Sequence, residues 1–311
     1  DVFHQDATSA HPIHAKNSHA SPTPVTDGEH VWVHFGPQGT ACLTTEGDVV
    51  WRNRTLRYDP RHGSGGSPVL VDGLLAFSCD GYDVQFVVAL DQRTGEVRWK
   101  RDRPPLDTRS TFSFSTPLLI DVGGRKQLIS AGTNRVIAYE PATGGPIWQA
   151  DYDGYSVIPR PVFAHGLVFV SSSYNDATLL AVRPDGRGNV TDSHVVWQSG
   201  RNAPHTPSVL AVGDELYFVS DGGVAMCADA RTGEVSWQKR LGGNYSASPL
   251  YGDGKVYFQS EDGVGTVLRA GRAPVELAKN DIGGRTLASY AVVDSDLLIR
   301  TETHVYRIGA P

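Results

Sequence analysis

ALDQRTGEVRW (89–99), AYEPATGGPIW (138–148) and CADARTGEVSW (227–237) are three copies of one segment, and this segment decides the fold. In each copy a short apolar run ends at an acidic residue, a glycine follows, and a tryptophan stands four residues after that glycine. The carboxylate can cap a turn and the glycine can take the left-handed backbone conformation that closes it, so each copy predicts a β-hairpin. We interpret the recurring tryptophans as rings that pack between neighbouring repeats, with Leu277 in the corresponding place of the sixth repeat. They are Trp51, Trp99, Trp148, Trp197 and Trp237.

Ahead of each hairpin lies a second repeated pattern: a small residue and a proline, an apolar run, an Asp or Gly turn and another apolar run. The aligned positions are Pro24, Pro68, Pro117, Pro161, Pro207, Pro249 and Tyr290, with successive spacings of 44, 49, 44, 46, 42 and 41 residues. A period in the forties with alternating apolar residues predicts the blades of a β-propeller. We therefore expect an all-β chain, a β-propeller with about seven four-stranded blades, forming a single domain over 1–311. The inner strands should start near 23, 67, 116, 160, 206, 248 and 289.

Two units depart from the repeat. The fourth has a long hairpin insertion at 183–194, and the seventh ends after its third strand, at 304–308. An unpaired sheet edge is a liability that proteins usually cover. We predict that Asp1–His4 pairs beside 304–308 as a closing strand, and that 1–17 comprises this strand and a crossing loop.

Composition narrows the function. The chain has 28 basic and 34 acidic residues and a net charge of −6, so electrostatics offer no case for nucleic acid. No stretch approaches the roughly 20 apolar residues of a membrane span. Cys42, Cys79 and Cys227 lie too far apart for a metal motif, and we expect buried free thiols. The start at Asp1 suggests a processed or trimmed end.

The A-x-D-x-x-T-G-x-x-x-W hairpin resembles the tryptophan-docking motif of propellers related to pyrroloquinoline quinone (PQQ) dehydrogenases and to BamB. The segments VRPDGRGNVTDSHVVW, PRPVFAHGLVFVS and GGNYSASPLY are also similar to uncharacterised BamB-like repeat proteins of exported bacterial proteomes. The resemblance covers the whole chain and implies a periplasmic or extracellular location. Those proteins usually carry one more repeat upstream, so eight blades in an intact parent remain an alternative.

The resemblance does not carry the quinone cofactor with it. PQQ dehydrogenases hold the quinone between a tryptophan and a disulfide of adjacent cysteines, with a calcium ion nearby. No two cysteines here are neighbours, and the repeated tryptophans are the docking set. We therefore expect no PQQ.

Polar residues gather in two sets of loops that should open at one end of every blade: the entry loop before each inner strand, and the second turn, between the second and third strands. The expected catalytic residues are Arg160, His205, His62 and Tyr245, and the expected ligand-binding residues are His19, Arg201, Asn244, Arg285, Asp80 and Glu261. Arginine can neutralise an acidic substrate while histidine or tyrosine moves a proton. Alternatively, Arg160 forms only a salt bridge with Asp221 or Glu261. His19, His62 and His205 are the candidate set for a divalent metal, because three imidazoles with an open position suffice for zinc or manganese.

Three functions fit these observations. The first is a non-catalytic binding or scaffold propeller that presents its polar loops to a protein or a saccharide. The second is a carbohydrate-active lyase or hydrolase that acts on an acidic saccharide through the same loops. A quinone-dependent dehydrogenase is the third and the least supported. Fold analogy alone does not choose among them.

Overall fold

The computed structural model describes residues 1–4 and 13–309. The fold is an all-β propeller with seven blades, and the strands of each blade pair antiparallel, with one parallel strand added to blade 3. Apart from a 3₁₀ turn at Gly36–Gln38, the described residues form a single helix, α1 (Thr191–His194). None of them builds a helix long and apolar enough to cross a membrane. The chain divides into two compact units, residues 1–161 with 184–194, and residues 162–183 with 195–311.

The first unit contains blades 1 to 3. Blade 1 consists of β1 (Val25–Thr26), β2 (His30–His34), β3 (Thr40–Thr44) and β4 (Val49–Asn53). Blade 2 consists of β5 (Val69–Val71), β6 (Leu74–Asp80), β7 (Gln85–Asp91) and β8 (Val97–Asp102). Blade 3 consists of β9 (Leu118–Val122), β10 (Arg125–Gly132), β11 (Arg135–Tyr139) and β12 (Pro146–Asp151).

The second unit contains blades 4 to 7. Blade 4 consists of β13 (Val162–Ala164), β14 (Leu167–Ser171), β15 (Leu179–Val182) and, after the insertion with β16 (Gly188–Asn189) and α1, β17 (Val195–Ser199). Blade 5 consists of β18 (Leu210–Val212), β19 (Glu215–Val219), β20 (Val224–Asp229) and β21 (Val235–Arg240). Blade 6 consists of β22 (Leu250–Gly252), β23 (Lys255–Gln259), β24 (Val264–Arg269) and β25 (Glu276–Asp281). Within the described part of the chain, blade 7 consists of β26 (Ala291–Val293), β27 (Asp296–Arg300) and β28 (Val305–Ile308).

Tryptophan docking between neighbouring blades is confirmed within both units. The indole nitrogen of Trp99 donates to the carbonyl oxygen of Pro141 at 2.8 Å, in the hairpin of the next blade. A Cβ atom on Gly144 of that hairpin would lie 2.5 Å from the Trp99 ring, so the close approach requires glycine as well as its positive φ of 68°. Trp51, Trp197 and Trp237 donate in the same way to Gln92, Ala230 and Gly271.

In two places the register differs from the predicted alignment. In blade 6, Ala278 pairs with Val267 of the third strand and so occupies the position of the docking tryptophans. Leu277, which we expected at that position, is exposed. In blade 5 the inner strand begins four residues after the predicted point instead of two, because Ser208, not Thr206, is equivalent to Ser248 of blade 6. The repeated proline pattern therefore misplaced one blade by two residues.

The insertion in the hairpin of blade 4 adds a strand to blade 3. Its strand β16 pairs parallel with Trp148 and Gln149 of β12, which makes blade 3 a five-stranded sheet. The Asn189 amide nitrogen donates to Asp151, 2.7 Å away. Trp148 is 1% exposed under this cover, and its indole donates to the side chain of Gln127 rather than to a neighbouring hairpin.

The first residues differ from the predicted closing strand. Asp1–His4 form no strand, and among the described residues β28 pairs with β27 alone. Arg52 donates to the carbonyl oxygens of Asp1 and Val2, and the Phe3 ring packs edge-on against Phe35. Contacts with blade 1 therefore hold this segment, while most of the predicted crossing loop, residues 5–12, lies outside the described residues.

Candidate functional site

A serine or threonine stands two residues before the inner strand of every blade except blade 4, where Arg160 takes this place. In the first unit, the backbone N–H of Thr23 donates to Ser67 Oγ, and that of Ser67 donates to Thr116 Oγ1. In the second unit the same relay runs from the Ser208 N–H to Ser248 and from the Ser248 N–H to Ser289. Each hydroxyl accepts from the backbone of the preceding blade, so the relay locks neighbouring strand entries together.

Arg160 stands at the position where the other blades place these hydroxyls. Its guanidinium has donors only and cannot accept the preceding blade's backbone hydrogen bond. The side chain is exposed, although the surrounding protein removes enough water to lower the pKa of Arg160 below its ordinary value. Arg160 thus stays the charged exception that the sequence indicated, and its catalytic role stays a prediction.

Asp80 is a structural residue in the first unit. Arg103 binds it in a two-pronged ion pair, with Nε to Oδ1 at 2.7 Å and Nη2 to Oδ2 at 2.9 Å. The side chains are 1% and 4% exposed. Burial raises the pKa of the Asp80 carboxyl and Arg103 opposes this rise, while the Asp80 carboxylate raises the pKa of Arg103 against the effect of burial. Asp80 is therefore not available for the ligand binding that we expected. Sequence reasoning missed Arg103, although a carboxylate ending a buried strand calls for a cationic partner.

His62 and His19 occupy entry loops of the first unit and are half-buried. The His62 ring meets Phe112 edge-on with 5.2 Å between ring centres, and His14 at 5.6 Å. Burial, followed by the nearby charges of His14 and Arg61, lowers the pKa of His62. His62 thus lies in an aromatic cluster, and no acidic group contributes to its pKa shift.

Four predicted residues of the second unit are engaged in holding loops. Tyr245 is 1% exposed, and burial raises its pKa to about 12, so it cannot serve as an accessible acid or base. The Ser246 hydroxyl donates to the Glu261 carboxylate at 2.6 Å, and the Asn244 carbonyl oxygen accepts from the Glu261 N–H. Arg285 forms an ion pair with Glu302 at 2.9 Å. These contacts join the second turns of blades 6 and 7 to the entry loops of the same blades.

The predicted metal set does not assemble. Among residues 1–4 and 13–309, no group of three or more His, Cys, Asp and Glu side chains is close enough to hold a metal ion. His62 packs among aromatic rings instead, and His205 lies edge-on to Tyr174 with 5.2 Å between ring centres. His19, His62 and His205 therefore do not form the three-imidazole site that the sequence suggested.

His205 borders a cavity of about 360 Å³ that lies wholly within blades 4 and 5. One wall is the second turn of blade 4, the other is the second turn of blade 5, and the entry loop of blade 5 runs between them. The lining residues are Asn175, Asp176, Ala177, Thr178, Gly200, Asn202, Ala203, His205, Ser220, Asp221 and Gly222. Arg201 lies in this entry loop between Gly200 and Asn202, but it does not line the cavity and its guanidinium donates to Gln238 Oε1 at 2.7 Å.

Hydrogen bonds fix the walls of this cavity. Asp221 Oδ1 accepts from the backbone N–H groups of His205 and Thr206 at 2.8 and 3.0 Å, and its Oδ2 accepts from the Thr206 hydroxyl at 2.6 Å. On the other side, the Ser173 hydroxyl donates to the His205 carbonyl oxygen at 2.6 Å. Asn175 and Asn202 adopt positive φ angles of 75° and 51°, which asparagine tolerates better than most residues. The cavity is therefore built before any ligand arrives.

The sequence had indicated His205 as a site residue but not the cavity around it. Nothing in the sequence indicated that Asp176 and Ala203 belong to a site, apart from their place beside turn-forming asparagines. The cavity that they line forms only where blades 4 and 5 meet. Its acidic groups and amides can accept hydrogen bonds from a cation. No lysine or arginine lines it.

Comparison with known proteins agrees with the fold. The family model described as "Outer membrane protein assembly factor BamB" matches this chain in three overlapping stretches, residues 6–175, 83–209 and 186–273. No curated protein sequence matches.

Among solved structures, BamB from Moraxella catarrhalis is 16% identical with a TM-score of 0.70, over 93% of this chain and 82% of that chain. A europium-containing methanol dehydrogenase is 12% identical with a TM-score of 0.67, over 89% and 73% of the two chains. The computationally designed Ika8 protein is 10% identical with a TM-score of 0.66, over 92% and 82%. At such identities these likenesses show the fold alone.

Proposed function

We propose a function that starts from the family of this chain, which belongs to the family of the outer membrane protein assembly factor BamB. The protein is a non-catalytic propeller that holds a protein partner by its entry loops and second turns. The observation that carries the proposal is the structural use of one expected catalytic residue, Tyr245, and of two expected ligand-binding residues, Asp80 and Glu261. Tyr245 is buried, Asp80 is neutralised by Arg103, and Glu261 is bonded to Ser246. A set of loops braced in this way is suited to presenting a rigid surface.

The family description supports a protein partner. Assembly factors act on other proteins, and a binding surface works best on elements that are locked by packing and hydrogen bonds. We propose a periplasmic or extracellular location on the same ground, which cell fractionation tests directly.

The alternative functions have less support. The saccharide enzyme needs accessible acid and base groups, and of the expected set only Arg160, His62 and His205 are partly accessible. The quinone dehydrogenase needs the cofactor site of that group. Here Cys42, Cys79 and Cys227 are free, buried and set in three different blades. Four of the repeated tryptophans donate to hairpin carbonyls, namely Trp51, Trp99, Trp197 and Trp237. These residues do not fit PQQ.

Site-specific photocrosslinking tests the proposal. A photoreactive residue at Asn175, in the second turn of blade 4, should trap one partner protein of defined mass in the native host. The same residue at Asp294, in the turn between β26 and β27 at the other end of the strands, is the matched control and should trap none. Equal adducts at both positions would contradict the proposal. So would turnover of an acidic saccharide that is lost in Arg160→Ala.

A further inference from the structure

We infer that the cavity of blades 4 and 5 receives the side chain of a lysine or arginine from the partner protein. This inference rests on the proposed function and names the chemistry that one part of the binding surface recognises. Four features of the cavity lead to it: its size, its charge, its apolar floor and the fixed position of its acceptors.

The size fits one side chain. A volume of about 360 Å³ is at the lower end of the range for pockets that hold small molecules. It is too small for a folded element such as a helix, whose diameter with side chains is about 10 Å. An extended segment can place a single long side chain there while its backbone stays outside.

The charge selects a cation. Asp176 and Asp221 both line the cavity, and no basic residue except His205 does. Asp221 accepts three hydrogen bonds from His205 and Thr206 of the entry loop, whereas an ionised carboxylate offers about four acceptor positions. One acceptor position of Asp221 is therefore left for a ligand, and Asp176 is exposed at the rim. An anion would meet like charge from both carboxylates.

The floor suits an aliphatic stem. Ala177 and Ala203, which are 6% and 4% exposed, provide small apolar surfaces below the polar rim. Lysine and arginine carry three or four methylene groups that pack on apolar surface while the charged head stays at a polar edge. A bare metal ion lacks such a stem. Nor do the residues that the structure describes offer a metal three carboxylate or imidazole ligands at this place.

The acceptors are held in position in advance. The Thr178 N–H donates to Ser172 Oγ at 3.0 Å, and the Ser172 N–H donates to the Thr178 carbonyl oxygen at 2.9 Å, so the wall that carries Asp176 is braced on both sides. A wall that is already ordered loses little conformational freedom when a side chain enters.

A peptide titration followed by NMR tests the inference with the full chain. The probe is acetyl-Gly-Lys-Gly-amide, and the matched neutral probe carries norleucine in place of lysine. We expect the lysine peptide to shift the amide resonances of Asn175, Asn202 and His205, and the norleucine peptide to bind more weakly.

Two variants locate the binding. Asp176→Asn should raise the dissociation constant of the lysine peptide about two- to fivefold, the range for an exposed ion pair. Asp294→Asn removes one carboxylate from the turn between β26 and β27, outside the cavity, and should leave this dissociation constant unchanged. Gly200→Leu should abolish binding without changing charge. A Cβ on Gly200 would make only an ordinary contact, 3.6 Å from the carbonyl oxygen of the lining residue Ala177, so the leucine can extend into the cavity.

The outcomes separate the two proposals. Equal affinity for the two peptides, shifts that map outside the cavity, or an unchanged dissociation constant in Asp176→Asn would each overturn the lysine or arginine assignment. If crosslinking at Asn175 still traps a partner in that case, the binding function stands and only this inference falls. Peptide binding without any crosslinked partner would instead overturn the proposed function and leave a cavity for small cations.

Discussion

Replacing His34 should make the stability of this protein less sensitive to acid between pH 7 and pH 5. His34 in β2 is 2% exposed, its Nδ1 lies 2.8 Å from Thr40 Oγ1, and its ring centre lies 4.2 Å from that of Phe77. Burial lowers the pKa of His34 from 6.5 to about 3. The folded protein therefore keeps a neutral imidazole at pH values where the unfolded chain binds a proton.

The magnitude follows from the two pKa values. Below pH 6.5 the unfolded state gains a proton that the native state refuses, so the free energy of unfolding falls by about 1.4 kcal/mol for each pH unit. The stabilisation is complete above pH 6.5 and is lost progressively down to about pH 3. Between pH 7 and pH 5 the loss amounts to about 2 kcal/mol.

Urea unfolding followed by far-ultraviolet circular dichroism at pH 5 and pH 7 measures this loss. His34→Gln should be less stable at pH 7 and should lose about 2 kcal/mol less than the wild type on acidification. His30→Gln is the matched control, because His30 lies on the same strand with a side chain that is 38% exposed, and it should behave as the wild type. NMR of the wild type gives an independent check, since the His34 ring resonances should not titrate between pH 5 and pH 8. A titration midpoint near 6.5, or the same pH dependence in His34→Gln and the wild type, would refute the reasoning.

Two further predictions concern the first unit. Arg103→Met leaves the Asp80 carboxylate buried and unpaired, and should lower the free energy of unfolding by about 3–5 kcal/mol, whereas the double variant Asp80→Leu/Arg103→Met should recover much of it. Denaturant midpoints at neutral pH distinguish these outcomes, and equal losses in the single and double variants would argue against an essential ion pair. Gly144→Ala should destabilise the protein more than Gly73→Ala, because both have a positive φ but only Gly144 faces a neighbour, the Trp99 ring at 2.5 Å. Comparable melting temperatures for the two alanine variants would mean that the tryptophan contact adapts at little cost.

The local patterns of the sequence were enough for the fold. A strand period of two, turn residues at fixed offsets and a repeat length in the forties depend on residues close together in the chain, so they survive in the sequence. The tryptophan hairpins even predicted which side chain docks on the next blade, as Trp99 does. The same patterns failed where a unit deviates, as at Ser208 and Ala278, because one or two extra residues shift the register without changing the composition.

The first residues show the limit of strand propensity. Asp1–His4 looked like a closing strand because the seventh unit lacks an outer strand. In the structure, Arg52 binds the carbonyl oxygens of two of these residues and Phe35 packs against Phe3. These contacts are made with residues that lie 32 to 51 positions away in the chain, and no local pattern announces them.

The sequence alone predicted a propeller of about seven blades with polar loops, and it identified many residues of those loops. Only the tertiary structure decided what each polar group does there. Asp80 belongs to Arg103, Tyr245 is buried, and His205 borders a cavity with Asp176. A polar residue in a loop has the same sequence signature whether it faces solvent, a ligand or a buried partner. The difference lies in contacts within a blade and between neighbouring blades, and those form only when the strands and repeats pack side by side.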